Sequence, residues 1–248
     1  MQAREEILTR LRRTLARPNL RFPPEEPALL TEAERMAVTQ AAGDGWALAR
    51  RFGEELQALH GSFEIARTSA EARGALVQCL QRWVVEADVE TDAHGREVLG
   101  WAEGSLPLSE IASTLSGHGF RLVVPDELNS AGSRAAVRSI RFGLTGVDAA
   151  FASTGSMLLV AGAGKSRAAS LLPLCHIALI PFSRLYSTVE AWMAGQRSQG
   201  VLDTLIRENA NVTIITGPSK SADIEMNLTL GVHGPQFVHA ILFNDRSQ

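Results

Sequence analysis

Asn211-Val212-Thr213-Ile214-Ile215-Thr216-Gly217-Pro218-Ser219-Lys220-Ser221-Ala222-Asp223-Ile224-Glu225 sets an apolar run, a glycine–proline break and a polar segment in immediate succession. Its first five residues form a β-branched apolar run, which reads as a buried parallel strand. Gly217 and Pro218 stop that strand. Ser221-Ala222-Asp223-Ile224 is then expected to open a helix, with Asp223 in its first turn. A strand that ends in a Gly-containing loop and feeds a helix is the repeating unit of an open α/β sheet, and such loops are where those sheets take ligands. The loop amides, the hydroxyls of Ser219 and Ser221 and the ammonium of Lys220 together favour an anion. The plainer reading is a turn that only changes chain direction.

The same alternation continues outward from this segment. Cys175–Ile180 and Phe237–Phe243 read as strands, the second closing the sheet. Val147–Val160 holds two extended segments hinged at Thr154-Gly155, and Phe120–Pro125 and Phe63–Ala66 are further strands. Helical periodicity marks Trp46–Leu59, Ser69–Val85 (capped by Ser69, with Glu71 in its first turn), Leu108–Leu115, Ser133–Ile140, Val189–Gly195 and Val201–Glu208. Thr91–Gly104 is polar and reads as an extended connection. Strands that alternate with helices predict an α/β fold with a mostly parallel sheet. Residues 3–16 carry apolar Ile7, Leu8, Leu11 and Leu15 at helical spacing, and Pro18, Pro23, Pro24 and Pro27 follow. The expected division is therefore an N-terminal helical arm and Pro-rich linker over 1–42 and a main domain over 43–248. The arm would pack on that domain or on a neighbouring subunit, which admits a homo-oligomer. Its arginines read as a solvated face.

Composition narrows the function classes. The chain has 248 residues, 45% hydrophobic and 21% charged, as an ordinary globular protein does. A net charge of −3 gives no drive toward nucleic acid or anionic membrane. The longest apolar stretch, Leu171–Phe182, is broken by Pro173, His176 and Pro181 and is too short for a membrane span of about 20 residues. The first residues have mixed charge and no continuous apolar core, unlike a secretory signal, so a cytoplasmic location is expected. Cys79 and Cys175 have no CxxC spacing, so no intrinsic iron–sulfur cluster, zinc site or disulfide framework is expected. Both read as small buried hydrophobes.

Gly217-Pro-Ser-Lys-Ser-Ala-Asp-Ile-Glu225, followed by Leu230-Gly-Val-His-Gly-Pro235, resembles the C-terminal signature of the LUD domain family, of the lactate utilisation protein C (LutC) type. Ala152-Ser-Thr-Gly-Ser156 before an apolar run is similar to a second family element, and Leu172-Pro173 with His176 to a third. The resemblance implies a Rossmann-like three-layer α/β/α sandwich of the NagB/RpiA/CoA-transferase-like type. It also implies a place in L-lactate oxidation to pyruvate as the non-iron–sulfur member of a set whose other members are iron–sulfur proteins. The alternative, by fold analogy, is a stand-alone enzyme or a sensor acting on a phosphorylated sugar or acyl-CoA. Ser153 stands where the family often has glutamate, which removes a candidate acid, base or nucleophile.

The implied site is a cleft at the C-terminal ends of the strands. Gly217, Pro218, Ser219, Lys220 and Ser221 would hold an anionic group, with Thr154, Gly155 and Ser156 opposite. The other reading of Thr154-Gly155-Ser156 is a simple turn or bulge. Asp223 and His233 are the candidate proton-transfer groups, although His233 could equally hydrogen-bond across its own turn. Gly162-Ala163-Gly164-Lys165-Ser166 fails as a P-loop, because the required first glycine falls at Leu159. Lys165 and Arg167 remain available to an anion. No histidine pair has metal-ligand spacing, and His176 reads as a core residue.

Overall fold

The computed structural model describes residues 2–16, 43–86, 94–125, 128, 130–209, 211–222 and 228–246. The chain divides into two compact units, Met1–Ala37 and Val38–Gln248. In the first, α1 (Gln2–Leu15) has Glu5 in its first turn and Arg12 and Arg13 in its last, the order that complements a helix dipole. The Pro-rich linker lies outside the described residues.

The second unit opens with α2 (Gly45–Ala58), capped by Asp44, whose carboxylate accepts the Ala47 N–H at 2.9 Å. There follow β1 (Ser62–Ala66), α3 (Ser69–Glu86), β2 (Glu97–Gly100), α4 (Ile111–Gly117), β3 (Arg121–Val123) and α5 (Ala131–Arg138). Next come β4 (Phe142–Gly146), β5 (Ala149–Phe151), β6 (Ser156–Ala161), α6 (Ala168–Leu171), β7 (Cys175–Pro181), β8 (Leu185–Tyr186), α7 (Val189–Ser198) and α8 (Leu202–Glu208). β9 (Asn211–Ile215), β10 (Lys220–Ala222), β11 (Leu228–Leu230) and β12 (Phe237–Phe243) complete the order. Six strands form one sheet in the order β1-β12-β7-β4-β2-β3, and every adjacent pair is parallel.

Helices cover both faces of that sheet. On one face, Phe63 of β1 pairs with Ala240 of β12, and its ring lies against Gly53 of α2. Gly143 of β4 is on the same face, and a Cβ there would meet the Ala169 carbonyl of α6 at 2.1 Å. On the other face, Trp83 of α3 meets Phe237 and His239 of β12. Phe52, Leu56, Leu76, Leu80, Phe142 and Ile241 are completely buried in this core, and a fully buried side chain of this size stabilises by roughly 1.5–3 kcal/mol. A second sheet, β8-β5-β6-β9, is mainly antiparallel. It buries Phe151, Leu158 and Val160 with Trp192 of α7.

Four expectations are corrected here. Strand β9 is neither parallel nor buried: it pairs antiparallel with β6, and Ile214 is 54% exposed. No helix opens at Ser221, because Lys220–Ala222 instead pairs antiparallel with Leu228–Leu230 in a hairpin. Asp223 lies outside the described residues. The polar connection Thr91–Gly104 contains β2, a strand flanked by β3 and β4, and Phe142–Gly146 is a strand despite its two glycines. Those glycines are needed for space, since at Gly146 a Cβ would meet Pro107 at 2.9 Å. Finally, Thr68 rather than Ser69 caps α3: its Oγ1 accepts the Glu71 N–H at 3.1 Å, and the Glu71 carboxylate accepts the Arg67 N–H at 2.7 Å.

Candidate functional site

Packing brings the sequence-predicted turns to one corner. α2 runs from Trp46, whose ring meets Phe182 just past the carboxyl end of β7, to a C-terminus just before β1. Gly155 sits on the later part of that helix with φ +62°, and a Cβ would lie 2.5 Å from the Leu56 amide nitrogen. Gly217, at φ +80°, would place a Cβ 3.1 Å from that of Leu59. Both glycines thus allow a turn to close on a helix end, at the amino-terminal edge of the parallel sheet. Between them runs a line of hydroxyls: Thr154 Oγ1 donates to Ser156 Oγ at 2.8 Å, and Ser156 Oγ meets Thr216 Oγ1 at 2.8 Å.

Ser219 ties the hairpin to the Gly231–Pro235 turn. Its N–H donates to the Pro235 carbonyl at 2.9 Å, its carbonyl accepts the Gly231 N–H at 2.9 Å, and its Oγ accepts the His233 N–H at 3.3 Å. The Ser219 amide, expected to face an anion, therefore has an internal partner. Gly217 and Pro218 are buried, Ser221 is half-buried, and Lys220 is exposed at the start of β10. These segments build the corner more than they line an opening.

The opening lies beside it. Gly231, His233 and Gly234 line a cleft of about 530 Å³ together with Arg138, Arg141 and Leu172–Leu174. Arg141 directly precedes β4, Leu174 precedes β7, and Gly234 lies shortly before β12, so the cleft is at the amino ends of three neighbouring strands. His233 is exposed. Arg138 and Arg141 have no carboxylate partner among the described residues. Two guanidiniums beside an imidazole form a ready seat for a carboxylate or phosphate. Neither arginine stands out in the sequence, because Phe142–Gly146, with its two glycines, lacks the pattern of a strand. Once Phe142–Gly146 is seen as a strand, Arg138 and Arg141 fall at its mouth.

The opposite edge is filled at its switch point, and the cavity of about 670 Å³ beyond it is lined by Glu103, Pro107 and Glu110. β2 has β3 on one side and β4 on the other, so the carboxyl ends of β2 and β4 form the switch point where open α/β sheets ordinarily bind ligands. Trp101, 1% exposed, and Pro107 pack there against Gly146. The Lys165 ammonium lies 5.0 Å from the Trp101 ring and 2.6 Å from the Asp148 carboxylate, which also accepts the Val160 N–H at 2.8 Å. Lys165 is thus engaged within the protein rather than offered to an anion.

Burial sets the chemistry of two histidines and two cysteines in the core. His176 shares a hydrogen bond with Thr145 Oγ1 at 2.9 Å, and His239 one with Ser62 Oγ at 2.8 Å. The His176 Nδ1 and the His239 Nε2 have no hydrogen-bond partner among the described residues. Burial pushes both pKa values down to about 4, since a charged imidazole there would lose its water. Burial also pushes the Cys79 and Cys175 thiols up to about 12, which leaves them poor nucleophiles. Among the described residues, no group of three or more His, Cys, Asp or Glu side chains could hold a metal ion, and no helix is long and apolar enough to cross a membrane.

An all-parallel six-stranded sheet with helices on both faces defines an α/β protein, and the fold has a solved counterpart. A DUF162 family protein from Deinococcus radiodurans superposes with a TM-score of 0.53 at 19% identity, over 82% of this chain and all of that one. The LUD domain model matches residues 49–243, and the chain belongs to that family. It is similar to proteins named Lactate utilization protein C: 46% identical over 107 residues to one from an Exiguobacterium species, 42% of this chain and 44% of that protein. A second, from Macrococcus caseolyticus, is 35% identical over 121 residues, 49% of this chain and 52% of that protein. The matched region spans about half the length of these curated relatives.

Proposed function

We propose that the chain is a component of an L-lactate utilisation system that carries no iron–sulfur cluster of its own and acts with iron–sulfur proteins of that system. It would bind a small anion in the cleft of Arg138, Arg141 and His233. The similarity to proteins named Lactate utilization protein C carries the pathway, and the arginines at the Gly231–Gly234 turn, without a carboxylate partner among the described residues, support the ligand class. Arginine suits this role because its planar fork can grip both oxygens of a carboxylate. His233, exposed at the same cleft, is placed to give or take a proton. The Gly217–Ser221 segment contributes by holding the His233 turn in position through Ser219.

The pathway is tested by growth of a strain lacking this gene on L-lactate and on glucose. The expected result is a lactate-specific defect that the wild-type gene corrects and a gene carrying both Arg138→Ala and Arg141→Ala does not. Normal growth on lactate, in a background without another lactate dehydrogenase, would overturn the pathway and leave the phosphosugar or acyl-CoA alternative.

A further inference from the structure

The cleft that receives the anion is not isolated. A second cavity of about 690 Å³ adjoins it and shares Arg138, Leu171 and Leu172 as a common wall. The second cavity is a trough between α5 and α6, and its surface is mainly apolar: Leu128, Ala131, Ala135, Val137, Ala168 and Leu171. Arg134 and Arg167 stand on the same trough. Among the described residues, no carboxylate lines either cavity, although the chain as a whole is acidic at −3. Leu172, on the shared wall, is 50% exposed, an apolar surface left uncovered between two cationic ends.

Size and polarity point the same way. Each cavity is within the range of roughly 300–1000 Å³ that suits a drug-sized ligand, and a molecule as small as lactate would leave most of the pair unfilled. A purely ionic ligand would gain nothing from the alanine and leucine walls, whose burial against an apolar group is favourable. A purely apolar ligand would strand the guanidiniums. A molecule with both features satisfies both cavities.

We propose that the anion seated at Arg138 and Arg141 is the head of an amphipathic molecule, a carboxylate or phosphate joined to a medium-length acyl or aryl group that lies in the α5–α6 trough. This rests on the anion-cleft reading above and narrows it to a substrate class. Charge complementarity selects the head, and the apolar floor selects the body.

The test is isothermal titration of the full chain with acetate, octanoate, inorganic phosphate and octyl phosphate, comparing wild type with Ala135→Phe and Arg138→Ala. In wild type, octanoate should bind at least tenfold tighter than acetate, or octyl phosphate at least tenfold tighter than phosphate; the better pair identifies the head group. Ala135→Phe fills the trough and should abolish that gain while leaving the short anion unchanged. Arg138→Ala should weaken the short and the long anion together. Equal affinities for short and long anions in wild type would overturn the apolar body while sparing the anion cleft. A chain-length gain that survives Ala135→Phe would also overturn the proposal, because the body would then lie elsewhere. Failure of every anion to bind would overturn the anion cleft itself.

Discussion

The two edges of the parallel sheet are built in opposite ways. At the carboxyl edge, where the strand order reverses and a ligand is ordinarily found, Trp101 and Pro107 fill the crevice and Lys165 is spent on Asp148 and the Trp101 ring. At the amino edge, two arginines and a histidine line an open cleft, and the family-like turns are bound to one another beside it. The topological rule predicts where a crevice can form; the side chains decide whether it is filled. Here a cationic group is neutralised at one edge, while at the other the arginines have no carboxylate partner among the described residues.

The largest effect expected from disturbing this contrast is acid sensitivity. His176 and His239 lie near the amino ends of β7 and β12 and are held neutral, with pKa values lowered from 6.5 to about 4. Above pH 6.5 both folded and unfolded states are neutral, and stability is complete. As pH falls below 6.5 the unfolded chain takes up protons first, so stability declines until about pH 4, by on the order of 3 kcal/mol per histidine. Urea unfolding between pH 7 and 4.5 checks this, and His176→Gln should flatten the curve. A pH-independent midpoint would show the amino edge to be less tightly closed around these rings.

Gly155→Ala comes next. The added methyl would strike the Leu56 backbone at 2.5 Å from a left-handed conformation, at a cost of about 3 kcal/mol. A thermal shift below about 2 °C would mean the turn can move off α2. At the carboxyl edge, Lys165→Met leaves the Asp148 carboxylate without its ion pair. Because both side chains are partly solvated, at 25% and 19% exposure, a loss of about 1–2 kcal/mol is expected in chemical denaturation. Ser219→Ala should be the mildest, about 1 kcal/mol, since it removes one acceptor for the His233 N–H. Its larger consequence should be faster amide exchange at His233, read by hydrogen–deuterium exchange.

The contrast between the edges also explains what the sequence could and could not convey. The long helices α2 and α3 and the strands β7 and β12 were legible, because apolar periodicity or a continuous apolar run reports burial directly. β2 and β4 were not. β2 lies in a polar stretch, and β4 carries glycines that serve neighbours distant in sequence, Ala169 and Pro107. β9 has the composition of a buried strand but lies at the edge of the smaller sheet, with Val212 and Ile214 exposed on one side. Propensity cannot distinguish those positions. The hairpin at Lys220–Leu230 overrode a plausible helix start for the same reason, since its partner strand is a tertiary fact. Of the site, His233 and the proximity of the Thr154–Ser156 and Thr216–Ser219 turns were within reach of motif reading. Arg138 and Arg141 required knowledge of which strands stand side by side.

On this reading an anion binds at the amino edge and not at the switch point. Titration of L-lactate and inorganic phosphate into wild type, Arg138→Ala and Lys165→Met tests it most directly. Losing a charge-assisted contact costs roughly 1.5–3 kcal/mol, so at least tenfold weaker binding in Arg138→Ala is predicted, with Lys165→Met equal to wild type. Undiminished binding in Arg138→Ala together with loss in Lys165→Met would place the ligand at the carboxyl edge and contradict the account.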